Sequence, residues 1–141
     1  MQTAPVLGDA EAMRAIGAIR EELLRRGRAA VIAVADSHGE LVALLRMAGA
    51  PLESGPIATN KAFTAARLRK PSRALGESVR TKGHDTAWYG DLRYLGWGGG
   101  MPVVVAGQVV GAVAVSGLSQ DEDEELAGIG IAAALAGAGE G

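Results

Sequence analysis

Ala29-Ala30-Val31-Ile32-Ala33-Val34-Ala35, then Asp36-Ser37-His38-Gly39-Glu40, then Leu41-Val42-Ala43-Leu44-Leu45-Arg46-Met47, is the stretch on which the fold turns. Two apolar runs of strand length flank five residues whose Asp36 and Gly39 are turn formers, which predicts an antiparallel hairpin. The device recurs downstream, where residues 101–105 and 108–116 flank Ala106-Gly107. Helical spacing fills the intervals between these pairs. Asp9 can cap a helix running to about Arg26, with Met13, Ile16, Ile19, Leu23 and Leu24 on one side and Gly27 just past its end. A second helix fits from Ser54 through Ile57, Phe63 and Leu68 to a stop near Pro71. Ser72 can cap a short third helix through about Arg80, closed by Gly83. Ser119-Gln120-Asp121-Glu122 has the form of a capping box and opens a last helix carried by Leu126, Ile129, Ile131, Ala133 and Leu135. Strands in two pairs, separated by helices, predict an α+β fold: an antiparallel sheet of two hairpins flanked by helices.

At 141 residues the chain has room for one core and one domain. Residues 9–136 are expected to form it, with 1–8 a flexible N-terminus and 137–141 a disordered tail. Hydrophobic residues make up 48% of the chain but aromatics only 4%, so the core must be built from Ala, Val, Leu and Ile. The 21 glycines sit at element ends and in one triplet, as turn devices rather than a repeat. A formal charge of −2, with Lys and Arg scattered among acids, argues against a nucleic-acid partner. The absence of Cys excludes disulfides, thiolate metal sites and cysteine nucleophiles. No run approaches the roughly 20 apolar residues of a membrane span, and no basic-then-apolar leader opens the sequence. A cytoplasmic protein with neither membrane nor nucleic-acid partner is therefore expected, and no metal site is.

Residues 84–100 carry the unusual chemistry. They lack a clean period yet hold both Trp residues, both Tyr residues and one of the two His residues. Trp88, Tyr89, Tyr94 and Trp97 can wall a flat or apolar ligand, or plug a subunit interface, or fill a sparse Ala/Val interior. His84 is open between iron ligand, general acid/base and structural residue, whereas His38 reads as a solvated turn residue. Asp36 is expected to hold backbone amides in its turn. Gly98-Gly99-Gly100 suits either a tight entry into the following strand or a backbone concavity for an anion through Gly99 and Gly100. Arg46 and Lys61 are cations inside otherwise apolar elements and need anionic partners. Those partners are either Glu53, Asp36 or Glu40, or a ligand carboxylate.

Several of these pieces, taken in order, resemble the GlcG/HbpS family. The resemblance rests on residues 34–42, Arg46-Met47, Gly49-Ala50, Lys61-Ala62-Phe63-Thr64-Ala65 and Arg69-Lys70-Pro71-Ser72. In the second half it rests on Gly98-Gly99-Gly100-Met101-Pro102-Val103, residues 107–117 and Asp121-Glu122-Asp123. It covers nearly the whole chain and implies an α+β domain that assembles into hexamers or octamers. It also implies a small-molecule ligand, which in some members is haem. Haem iron takes an axial His, Met, Cys or Tyr. One branch of the family supplies a His from the first helix, and residues 9–26 here contain none. The candidates left are His38, His84, Met47, Tyr89 and Tyr94.

The leading expectation is an oligomeric small-molecule-binding protein of the GlcG/HbpS type. Its ligand, haem or another planar or carboxylated molecule, would lie between Arg46, Met47, Lys61, His84, Trp88, Tyr89, Tyr94, Trp97, Gly99 and Gly100. The competing expectation is a small-metabolite enzyme with His84 as general acid/base, Asp85 orienting it, and Lys61 or Arg46 binding an anionic group. No cofactor is required by either, haem being the one the first admits.

Overall fold

A computed structural model of the chain describes residues 1 and 4–137. Its elements run α1 (Asp9–Arg25), β1 (Val31–Asp36), β2 (Leu41–Arg46), α2 (Ser54–Leu68), α3 (Ser72–Lys82), a single 3-10 turn (Thr86–Tyr89), β3 (Gly100–Val105), β4 (Gln108–Ser116) and α4 (Gln120–Ala136). The four strands form one antiparallel sheet in the order β2-β1-β4-β3. Each hairpin is thus preserved as a neighbouring pair, and the two are joined through β1 and β4, the two central strands.

Strand alternation sorts the core into two unequal faces. Ile32 and Val34 of β1 and Val113 and Val115 of β4 point to one side, where Ile16, Ile19 and Leu23 of α1 and Leu126 of α4 cover them. Val31, Ala33 and Ala35 of β1 and Ala114 of β4 point to the other and meet Ala58 and Ala62 of α2. The alanine face explains how a core so poor in aromatics closes. With methyl groups on both sides, α2 lies close to the sheet, and Phe63 is its one large buried apolar side chain.

The turns follow from local chemistry. Oδ1 of Asp36 accepts from the amides of His38 (2.9 Å) and Glu40 (3.1 Å), which fixes the first hairpin. The second turns on Ala106 and Gly107, both with positive φ (50° and 77°), the mirror-image turn that matches strand twist. The cap of α1 is Gly8 rather than Asp9, which lies in the first turn and supplies only its charge. Ser119 caps α4 as expected, accepting from the Glu122 amide. Leu7 is buried, and its amide donates to the Val110 carbonyl, so ordered structure begins ahead of α1. Gly137 ends α4, and the rest of the expected tail lies outside the described residues. No described helix is long and apolar enough to cross a membrane.

Candidate functional site

The first turns of α2 and α4 open onto the same end of the sheet, and between them lies a cleft of about 420 Å³. Pro51, Glu53, Ser54 and Ile57 line it from the α2 side, and Ser119, Gln120 and Asp123 from α4. Trp97 and Ser116 are among its other walls. The first turns of two helices therefore border one space, with the positive ends of their dipoles toward it and the Glu53 carboxylate on its wall. Its charged floor is Lys61.

The Lys61 side chain is 4% exposed and that of Asp123 2%. Nζ donates to Oδ2 of Asp123 at 3.2 Å and to the Val115 carbonyl at 3.0 Å. Oδ1 of Asp123 accepts from the Leu118 amide at 3.1 Å. Burial pulls the Lys61 amine below its ordinary pKa, against the attraction of Asp123. Burial likewise pushes the Asp123 carboxyl up, against the opposing pull of Lys61. An ammonium has three donors, and protein groups take two of them.

The glycine triplet serves this pair. Gly99 has φ of 130°, and a Cβ there would stand 2.8 Å from Nζ of Lys61 and 3.0 Å from Cβ of Asp123. A Cβ on Gly100 would collide with the Lys61 carbonyl group. The Gly99 and Gly100 backbones are thus buried packing against α2, with the Gly100 amide held by the Ser72 hydroxyl at 3.0 Å. Of the two readings of the triplet, the tight strand entry is the one this geometry fits.

The expected single cleft between Arg46, Lys61, His84 and the aromatic segment does not form within one chain. Lys61 and Trp97 share the cleft just described. His84, Asp85, Trp88 and Tyr89 line a separate groove of about 210 Å³. Arg46 is exposed on the edge strand β2, and Met47 is buried in the main core. Tyr94 lies in a ladder of rings, stacked on Tyr89 at 4.5 Å and edge-on to Phe63 at 5.0 Å. The His84–Asp85 couple does not form either. Asp85 caps the 3-10 turn by accepting from the Ala87 amide at 2.9 Å, while Nε2 of His84 is buried without a partner among the described residues. His38 is exposed in its turn.

Asp123 was not among the residues expected to pair with Lys61. The three candidates named, Glu53, Asp36 and Glu40, are all nearer in sequence. The available signal was the acid run in the first turn of α4, of which Asp123 is the buried member. Separation by 62 residues hides such a pair from local spacing.

Comparison with known proteins identifies the family and the fold. Residues 7–132 match the family model described as haem degrading protein HbpS-like. Protein GlcG of Escherichia coli K12 is 38% identical over 116 residues, covering 82% of this chain and 85% of that protein. A double mutant of Streptomyces reticuli HbpS superposes with a TM-score of 0.84 at 30% identity, over 94% of this chain and 89% of the other. The PduOC:haem complex superposes with a TM-score of 0.81 at 25% identity, over 91% and 94%. The fold, the order of its motifs and the length matched leave one assignment: the chain belongs to the HbpS-like family.

Proposed function

We propose that the protein binds a small anionic ligand, a carboxylate in the first instance, in the cleft over Lys61. The observation that carries this reading is the convergence on one space of two helix N-termini and the buried Lys61 amino group, two of whose directions are taken by protein groups. Ser54 is buried on the cleft wall, and Trp97 and Ile57 supply apolar surface for the remainder of the ligand. Calorimetric titration with glycolate, malonate and citrate tests it. At least one should bind, and Ile57→Trp, which fills the cleft while keeping both members of the ion pair, should abolish that binding. Equal binding by Ile57→Trp would overturn the reading.

A second reading is favoured by the unpartnered Nε2 of His84. His84 lines the smaller groove with Trp88 and Tyr89, its Nε2 turned inward, and the neighbour crystallised with haem makes haem the ligand to try there. The residues fit the group in one respect: an imidazole nitrogen without a protein partner suits an axial iron bond, and Trp88 and Tyr89 suit the macrocycle. Haem, when bound, supplies the iron chemistry; the chain supplies an imidazole ligand and flat contact surface. Haem titration should give a Soret band that His84→Ala shifts. A spectrum unchanged by His84→Ala removes His84 from this role.

The protein is also proposed to act as a homo-oligomer. Leu41 and Leu44 are exposed on the edge strand β2, whose unpaired backbone a second copy could cover, and Leu52, Trp88 and Leu92 are exposed as well. Light scattering should return a multiple of the 14.3 kDa chain mass, and a monomer at micromolar concentration would exclude it.

A further inference from the structure

Lys61 is a primary amine set at the floor of a cleft, next to a proton donor and acceptor. Its two protein contacts, the Val115 carbonyl and Oδ2 of Asp123, leave one direction of Nζ uncommitted, and Nζ belongs to a residue that lines the cleft. The other two lysines, Lys70 and Lys82, are exposed, so Lys61 is set apart by its surroundings. Burial moves the amine toward its neutral form and the Asp123 carboxyl toward its acid form. Desolvated lysines are the ones that act as nucleophiles toward carbonyl carbon.

We propose that Lys61 forms a reversible imine with a small aldehyde or 2-oxo acid held in this cleft, with Asp123 moving the protons. This rests on the carboxylate reading above and adds to it the carbonyl group. The Nζ lone pair attacks the carbonyl carbon, and the carbonyl oxygen takes a proton from the Asp123 carboxyl to give a carbinolamine. Asp123 then accepts the proton released from nitrogen and returns one to the departing hydroxyl. Water leaves as the C=N bond forms. Amine plus carbonyl gives imine plus water, with no oxidant or reductant consumed. The ligand's carboxylate would face the first turns of α2 and α4, where Ser54 and Ser119 lie.

The test uses the full chain with glyoxylate as probe and sodium cyanoborohydride to trap the imine, read by intact mass and peptide mapping. One adduct per chain at Lys61 is expected, with Lys70 and Lys82 unmodified over the same time. Lys61→Arg should lose the adduct. Asp123→Asn should slow it roughly a hundred-fold, the scale of a lost proton-transfer group. Should either variant fail to fold, Ile57→Trp serves instead, since it blocks the cleft while retaining both Lys61 and Asp123 and should also lose the adduct. Labelling spread over Lys70, Lys82 and the N-terminus, or no labelling at all, overturns the imine. Calorimetry with glycolate, the hydroxy analogue that cannot form an imine, separates the two ideas. Glycolate binding without glyoxylate trapping keeps the carboxylate site and discards the imine, whereas absence of both discards both.

Discussion

Nζ of Lys61, on α2, lies 3.2 Å from Oδ2 of Asp123, on α4, although the two helices cover opposite faces of the sheet. The pair passes around the end of β4 and is also fastened to it through the Val115 carbonyl. It is the point at which both layers of helices are tied to the strand between them.

Removing one partner leaves the other buried and uncompensated. Lys61→Met and Asp123→Leu are each expected to cost about 3–5 kcal/mol, and the double variant much less than their sum, since an apolar pair of similar volume needs no compensation. Urea denaturation of the four proteins checks this. Additive losses would mean that the two side chains do not interact across the sheet end.

Gly100 must stay without a side chain for a steric reason. A Cβ there would lie 2.8 Å from the Lys61 carbonyl carbon, and that backbone, held inside α2, cannot move aside. At Gly98 the obstacles are only the side chains of Arg73 and Gln120. Gly100→Ala should therefore cost about 1–3 kcal/mol by overpacking and Gly98→Ala clearly less, both read from denaturant midpoints. Equal effects would refute the close approach of β3 to α2.

Ala106 pays for a left-handed conformation, with φ of 50°, at the tip of the second hairpin. Asn is the residue that this mirror-image turn prefers before Gly107. Ala106→Asn should raise stability by about 1 kcal/mol, since a non-glycine residue in this region costs roughly 1–2 kcal/mol and Asn recovers much of it. A lower melting temperature in the variant would contradict the turn assignment.

Asp91 gives a pH dependence with a definite sign. Hydrogen bonds from the Arg93 side chain, and then from its amide, hold the Asp91 carboxyl below its usual value of 3.8. Its folded form thus binds a proton less readily than the unfolded chain does. The stabilisation is present above 3.8 and is lost as pH falls through the lower folded value. Asp91→Asn should flatten the loss of stability as pH falls below 3.8, measured by urea midpoints. An unchanged slope would show that Arg93 does not hold this carboxylate in solution.

The hairpins, the helices and the α+β class were legible because each is written locally. The apolar run at residues 31–35, the turn chemistry of Asp36 and Gly39, and the cap at Ser119 act over a few residues. The strand order β2-β1-β4-β3 has no such local signature. It follows from pairing β1 with β4, some 80 residues apart, which only packing decides. The candidate site was half legible for the same reason. Lys61 stood out as a cation in an apolar helix, but its partner Asp123 looked like one more acid in a helix first turn. Arg46 stood out by the same rule and misled, because β2 is an edge strand and its cation reaches water. The aromatics do not share one pocket within the chain: Trp88 and Tyr89 line the smaller groove and Trp97 the cleft over Lys61, a separation that no periodicity marks.

The aromatic segment consequently has two halves that should respond differently to mutation. Phe63 is 1% exposed, and Tyr94 packs edge-on against it at 5.0 Å while the Arg93 guanidinium lies 4.0 Å from the Phe63 ring centre. Tyr89 extends the ladder outward by stacking on Tyr94, and Trp88 is 77% exposed beyond it. Stability should therefore fall steeply toward the inner end of the ladder. Phe63→Ala is expected to cost about 3–5 kcal/mol, as for other buried rings. Tyr94→Ala should cost less but still measurably, and Trp88→Ala should stay within about 0.5 kcal/mol, the range of exposed positions. Ligand effects should run the opposite way. If the His84 groove binds haem, Trp88→Ala and His84→Ala will weaken or shift its absorption while leaving the melting temperature in place. Tyr89→Phe, which keeps the ring and removes only the hydroxyl, then separates stacking from hydrogen bonding: retained binding assigns the contact to the ring face, and lost binding assigns it to the phenol. A Trp88→Ala protein that unfolds early while haem binding by the remaining chain is intact would reverse the order argued here and make the outer half structural.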